Sequence, residues 1–294
     1  MITAAPDYIL IGHLTADLTP TGRMLGGTVS YAARVIKAFG MSVGVLTSAA
    51  SQEPLLDQLS PYVDEMVIVP AESTSTFENI YGPTGRTQYI RGVAAKLTAS
   101  AVPAHWLHAF PAHWLHAPLV HLAPLTDEVD PAIASHFQTG ILLLTLQGWL
   151  RWWTDDGRVR FKPYFNADVL KEIDWVVFSE EDIADAPELE TQYRDTVENL
   201  VITRAERGGC YYHNGVHSTY TTPQVELVHP TGAGDVFAAS LLAALHRTGG
   251  DVTASLKIAA HLAAISVTRL GLESAPTADE VRSVMEEAGY GSAR

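Results

Sequence analysis

The chain has 294 residues, 47% of them hydrophobic and 18% charged, a size and composition for one large α/β domain or two small ones that exclude a mostly disordered polymer. Lys+Arg 19 against Asp+Glu 33 leave a net charge of −14, so nucleic acid is not an expected ligand, whereas a small phosphorylated ligand remains admissible because a few backbone N–H groups and a metal ion reverse the field locally. A single cysteine, Cys210, an opening without a leader pattern, and apolar stretches too short for a bilayer of roughly 30 Å set the expectation of a cytoplasmic protein with no membrane partner.

In chain order, residues 8–12 read as a buried strand, 27–39 as a helix ended by Gly40, and 42–47 as the next strand, a βαβ beginning. Between Glu65 and Arg91 two polar-alternating strands, 73–81 and 86–90, flank Gly82-Pro83-Thr84-Gly85 and predict a hairpin outside the main sheet, either a lid or oligomer contact or a plain surface hairpin. The heptapeptide PAHWLHA occurs at 103–109 and again at 111–117. The copies bring His105, His108, His113, His116 and His121 close in sequence, but no Cys or carboxylate within the tract completes a metal site. Apolar runs at 119–122, 141–146, 175–178 and 200–203 follow, separated by stretches long enough for helices. A second hairpin spans 208–212 and 216–220 around Asn214-Gly215, and the remainder is helical at 233–246, 253–269 and 277–288. No Pro/Ser/Gly-rich linker divides the chain. The expectation is one α/β domain over 1–294, a mostly parallel sheet with helices on both faces, with lid segments at about 14–25 and 66–92.

The most informative segment is Thr231-Gly232-Ala233-Gly234-Asp235, which opens a helix. Glycines let consecutive amides converge on one point, and the helix places the positive end of its dipole there, forming an anion hole without the lysine of a Walker loop. An acid beside such a hole suits phosphoryl transfer: the amides stabilise the transferred group while Asp235 takes a proton from the attacking hydroxyl. The alternative is that Asp235 only favours the helix N-terminus by its charge. Gln147, at the end of the 141–146 run, falls where open α/β sheets gather ligands, and an ordinary loop glutamine is the plain alternative.

Residues HPTGAGDVFAASLLAAL resemble the C-terminal signature of the ribokinase-like carbohydrate kinases, the PfkB family. Asp17, after Gly12-His13-Leu14-Thr15-Ala16, is similar to the family's early sugar-binding aspartate, and Gly26-Gly27 to its double-glycine motif. The lid hairpin, the 203–209 segment and the late stretch AAHLAAISVTRLG also follow the family's order. The resemblance implies a ribokinase-like fold and an ATP- and magnesium-dependent kinase acting on a sugar, polyol or nucleoside, with a possible homodimer through the lid. It assigns Asp235 as base and the amides of Gly232, Ala233 and Gly234 as anion hole. Asp17, Gly26 and Gly27 would meet the substrate, Thr203, Gly208 and His261 the nucleotide, and Glu181 or Asp182 the metal.

Several positions depart from the family pattern. Tyr31 stands where ribokinases carry Asn, Ser179-Glu180-Glu181-Asp182 replaces N-x-x-E, His229-Pro230 replaces D-T, and Ala205 replaces Gly. These substitutions resemble the branch that includes inositol-type kinases. They also motivate a second reading, a non-catalytic sensor of nucleotide or sugar on the same fold. A dinucleotide-dependent oxidoreductase lacks its G-x-G-x-x-G after the first strand. Arg86 and Arg91 on the lid would suit an acidic substrate or solvent.

Overall fold

The computed structural model describes residues 4–82, 85–98, 111–137 and 140–291. Its first strand, β1 (Tyr8–Ile11), is fully buried; Tyr8 and Leu10 enter one hydrophobic cluster, Ile9 and Ile11 another, as alternating side chains of a strand covered on both faces must. Next come β2 (Thr15–Thr19), β3 (Gly22–Gly26), α1 (Thr28–Ala38), β4 (Val43–Ala50), the short α2 (Leu55–Leu59) and β5 (Glu65–Ala71). The middle of the chain forms β6 (Thr76–Gly82), β7 (Gly85–Gly92), β8 (Leu119–Leu122), β9 (Ile141–Thr145), β10 (Arg151–Trp153) and β11 (Val159–Phe161). The short helices α3 (Ala167–Leu170) and α4 (Leu189–Arg194) alternate with β12 (Trp175–Ser179) and β13 (Asn199–Thr203), followed by the hairpin β14 (Gly209–His213) and β15 (Val216–Tyr220). Three helices close the chain: α5 (Ala233–Arg247), α6 (Val252–Ser266) and α7 (Ala278–Glu287).

Nine strands form the main sheet in the order β15-β14-β13-β12-β9-β8-β1-β4-β5, parallel from β13 to β5, with the last hairpin antiparallel at one edge. The chain runs outward from β1 to β5 and then returns to β8 on the other side of β1, so a topological switch point lies between β1 and β8, where such sheets open a crevice at their carboxyl ends. Residues of α1, α5, α6 and α7 build the cluster on one face. The other face is built around Trp114, Trp149 and Tyr193. There the expected helices between β8 and β13 shrink to short helices and 3-10 turns at Pro131–His136, Leu146–Leu150 and Glu180–Ile183. Prolines at 131, 163 and 187 interrupt anything longer.

A second sheet, in the order β3-β2-β6-β7, stands outside the first. The hairpin expected at 73–81 and 86–90 is its β6 and β7, although Pro83 and Thr84 of the turn lie outside the described residues. Residues 66–71, assigned to the lid by the sequence pattern, belong instead to the main sheet as β5. Val67 and Val69 pack there against the core while the strand pairs in parallel with β4. The first PAHWLHA copy, with His105 and His108, lies outside the described residues. In the second, Trp114 is buried and donates to Glu65 Oε2 at 2.7 Å, which also meets His113 Nε2 at 2.9 Å. His121 is enclosed between Tyr8 Oη at 3.1 Å and Thr145 Oγ1 at 3.2 Å. His113 and His121 thus take separate packing roles. No helix among the described residues is long and apolar enough to cross a membrane.

Candidate active site

The double glycine and the late glycine turn meet across the α1–α5 contact. Gly27 precedes α1 with φ 87, a conformation L residues avoid, and a Cβ there would lie 2.8 Å from the His13 carbonyl oxygen. Thr28, the first residue of α1, donates from Oγ1 to Asp235 Oδ1 at 2.7 Å. One turn later, the ring of Tyr31 covers Gly232, which begins α5 in the left-handed conformation with φ 88; a Cβ at 232 would fall 2.5 Å from that ring. The two motifs, some two hundred residues apart in sequence, are therefore one packed unit.

Gly26 serves differently. It faces Thr15 across β2 and β3, and a Cβ on it would fall 2.5 Å from Asp17 Oδ2. The glycine thus makes room for the Asp17 carboxylate and does not itself line the cavity. Asp17, on β2 opposite Met24 and Phe77, reaches the same cavity as Gly27, Thr28, Tyr31 and Asp235.

Burial pushes Asp235 up to about 6. The Thr28 hydrogen bond and the Arg151 guanidinium oppose this, while the carboxylates of Asp17 and Asp182 reinforce it. The three acids therefore share one field. Burial, with Asp235 and Asp17, also drives the Tyr31 phenol well above its ordinary value and keeps it a neutral donor.

The glycine turn offers its amides unequally. Ala233 N–H is directed to the Pro230 carbonyl at 3.3 Å, which corrects the equal role expected of Gly232, Ala233 and Gly234. Gly234 and Asp235, in the first turn of α5, have no intrahelical carbonyl within reach of their N–H groups. A Cβ on Gly234 would meet nothing within 4 Å, so this residue faces open space.

These groups line a cavity of about 420 Å³, the size of a small-molecule site. Phe77, Asn79 and Gln88 of the second sheet close one end, and Gln88 Nε2 donates to Asn79 Oδ1 at 3.0 Å across the β6–β7 pair. The other end is more apolar, with Val225, Leu227, Ala260, Ala263, Ala264 and Val267 beside Thr203 and Gly208. His261 is not there. One position round α6 from the lining Ala260, its Nδ1 faces Glu287 Oε2 on α7 at 3.6 Å. Arg91 also stays out of the cavity, paired with Glu78 at 2.6 Å and stacked on Tyr89; the side chain of Arg86 lies outside what is described.

Gln147 and Asp182 do meet: Gln147 Nε2 donates to Asp182 Oδ1 at 3.1 Å. Asp182 Oδ2 also accepts from Ser179 N at 2.9 Å, closing a capping box, so the Ser-Glu-Glu-Asp segment that departs from the family pattern caps its own 3-10 turn. Glu181 lines the cavity beside it. No group of three or more His, Cys, Asp or Glu side chains that could hold a metal occurs among the described residues. Two lining carboxylates, one already hydrogen-bonded, suit a hydrated magnesium carried in on donor phosphates better than a site made wholly by protein ligands.

Sequence reasoning missed Arg151, the first residue of the ribbon β10–β11, which lines the cavity. The signal was present: two strand-like runs, RWW and RVRF, flank Asp155-Asp156-Gly157. The ribbon docks on β7 through Ile90 N to Gly157 O at 2.8 Å.

A crevice at the carboxyl ends of a doubly wound sheet, a small second sheet at its mouth, and an acid in a glycine-led helix turn make up a ribokinase-like fold. The family model for pfkB family carbohydrate kinases matches residues 169–278. A cytidine kinase of Thermococcus kodakarensis is 27% identical over 269 residues, 82% of this chain and 89% of that one. A solved pyrophosphate-dependent myo-inositol-1 kinase superimposes with a TM-score of 0.76 at 17% identity, over 95% of this chain and 99% of that one. A fructokinase of Xylella fastidiosa with bound ATP gives 0.75 at 18%, over 96% and 99%. Residues 169–278 are thus similar to the pfkB family of carbohydrate kinases, and the chain as a whole has the ribokinase-like fold.

Proposed function

We propose that the chain transfers the terminal phosphoryl group of ATP to a hydroxyl of a small neutral sugar, polyol or nucleoside. The observation that carries this reading is Asp235 at the mouth of the α5 turn, fixed by Thr28 and sharing one cavity with Asp17. Asp17 accepts hydrogen bonds from acceptor hydroxyls, and the lid amides Asn79 and Gln88 meet the acceptor from the other side. Two carboxylates at this end disfavour an anionic acceptor. Asp235, with its proton affinity raised toward the working pH, takes the hydroxyl proton as the oxygen attacks. The amides of Gly234 and Asp235, with that of Gly232, face the migrating phosphoryl group. Magnesium, when bound with the nucleotide, neutralises phosphate charge, and Glu181 and Asp182 are the residues that would hold its waters. The apolar end, Val225 to Val267, supports a nucleotide donor over bare pyrophosphate, because an inorganic donor has no surface to bury there. Closure of the second sheet over the acceptor would exclude water as a competing nucleophile.

The test is ADP formation over a panel of sugars, polyols and nucleosides, with Asp235→Asn alongside. Turnover by the wild-type chain with at least one acceptor, and a loss of about 10²-fold or more in the variant with ATP still bound, is the expected result. A chain stabilised by ATP yet silent across the panel would instead be the sensor.

A further inference from the structure

The second sheet joins the body at four places along the chain: at 12–14 ahead of β2, at Gly27 behind β3, at 72–75 ahead of β6 and at 93–95 behind β7. His13 stands in the first of these joints and touches two of the others. Its ring is fully buried; Nδ1 meets Ser75 Oγ at 2.7 Å and Nε2 meets the Ala95 carbonyl oxygen at 2.8 Å. A carbonyl only accepts, so Nε2 carries the hydrogen. Nδ1 then accepts from the Ser75 hydroxyl, whose oxygen in turn accepts from Ala94 N at 3.0 Å. The backbone of His13 is anchored from behind: its N–H donates to Glu128 Oε1 at 3.0 Å, and that buried carboxylate also accepts from Leu125 N, Thr126 N and Thr126 Oγ1. His13, Ser75, Ala95 and Glu128 do not line the cavity, so the chemistry uses none of them directly, yet a satisfied buried polar network fixes one arrangement of the segments it ties.

We propose that His13 is a positioning residue, the pin that sets the tilt of the second sheet against the body and so places Asp17, Asn79 and Gln88 on the acceptor. This rests on the kinase reading above. Ser75 passes the setting on: its carbonyl accepts from Ala16 N at 2.9 Å, next to Asp17, and the residue after it opens β6, which carries Asn79. Asn79 lies four residues beyond Ser75, about 13 Å along an extended strand, so a tilt of about 5° at the root moves its amide by about 1 Å. An error of that size costs on the order of 10²-fold where reacting groups must be aligned. Asp235 hangs on α1 instead, through Thr28, so the pin governs the acceptor side of the cavity and leaves the phosphoryl side alone. The rival role is packing only, which would lower stability without singling out the acceptor.

The experiment uses three variants. His13→Gln keeps a donor for Ala95 and gives up Ser75, His13→Asn does the reverse, and Ser75→Ala removes the shared contact with the histidine still in place. With the best acceptor of the panel above, each should raise the acceptor KM at least tenfold while the ATP KM and the affinity for ADP stay within about twofold, and each should release more phosphate to water per acceptor phosphorylated. In the combined His13→Gln, Ser75→Ala chain the second change should add less than about threefold in acceptor KM, because the bond it removes is already gone. Trp114→Phe, which loses its hydrogen bond to Glu65 in the body, controls for lost stability and should leave the acceptor KM within about twofold. Amide hydrogen exchange needs no turnover: in His13→Gln and Ser75→Ala, strands β2, β6 and β7 should exchange at least tenfold faster, with β12 and β13 as in wild type. Turnover lowered at an unchanged acceptor KM overturns the proposal, as does exchange that is unchanged or accelerated evenly over both sheets. Silence of the wild type over every acceptor sinks the kinase reading by itself, and the exchange pattern then decides His13.

Discussion

At Asp235, stability and chemistry pull in opposite directions. Its carboxyl binds a proton more tightly in the folded chain, at about 6, than in the unfolded chain at 3.8, so ionising it costs native stability as pH rises through that window. Asp235→Asn should therefore stabilise the fold at pH 7 by as much as about 3 kcal/mol, with the gain vanishing below about pH 4, where both forms are uncharged. Urea denaturation at pH 7 and pH 4 checks this, and the same variant should be nearly inactive. In wild type, kcat/KM should fall below pH 6 as the base becomes protonated, whereas an unperturbed aspartate would hold activity to about pH 4. The neighbouring glycines separate folding from function. Gly234→Ala has room for its methyl and gains up to about 1 kcal/mol of helix propensity, yet places that methyl over the open side of the amide turn. It should melt at or above the wild-type temperature while turnover drops at least tenfold. Gly232→Ala must hold φ 88 and displace the Tyr31 ring, so it should melt well below wild type. The role proposed for Asp235 was readable from five consecutive residues, because anion binding by a glycine-led helix is a local property. Its proton affinity was not, because burial and the fields of Asp17, Asp182 and Arg151 come from distant parts of the chain.

At the scale of elements, α1 and α5 act as a clasp whose polar fastening is the Thr28–Asp235 hydrogen bond. Thr28→Ala should move the acid limb of the activity profile upward, since the bond it removes favours the charged carboxylate. The second sheet is tied to the body by Arg23 on β3, whose two terminal nitrogens reach Glu53 at 3.1 and 2.6 Å; Glu53 is buried and Arg23 is not. Glu53→Gln keeps the shape and removes the charge. Amide hydrogen exchange in strands β2 and β3 should then accelerate, with little change in β8 or β12. Turn residues and polar alternation revealed the β6–β7 hairpin in the sequence. They did not reveal where the lid begins, because β5 is a short extended run just ahead of the hairpin and only its pairing with β4 decides which sheet it joins. His261 was misplaced for a related reason: a helix shows its period in sequence, but which face meets the cavity depends on the neighbours, here α5 and α7.

Across the whole molecule, the sheet is built to be dry. His121 on the central β8 is fully buried, and burial lowers it to about 3. The native chain thus binds this proton less readily than the unfolded one, so stability contributed by the neutral ring is intact above about pH 6.5 and lost as pH falls toward 3. The slope approaches about 1.4 kcal/mol per pH unit between those limits. Its sign is opposite to that of Asp235, and the two partly offset one another between pH 6 and 4. His121→Gln should flatten the acid side of the stability profile measured by thermal melts from pH 4 to 7.

The α/β class, the succession of the main strands along the chain and the glycine-led turn with its acid were legible before folding, because each is written in residues adjacent along the chain. Packing alone settled which acids share a field and that Arg151 stands in one cavity with Asp17 and Asp235. Those facts depend on segments a hundred or more residues apart closing on one point. A strand's alternation specifies two faces, but what each face meets is settled only when the sheet and its helices pack.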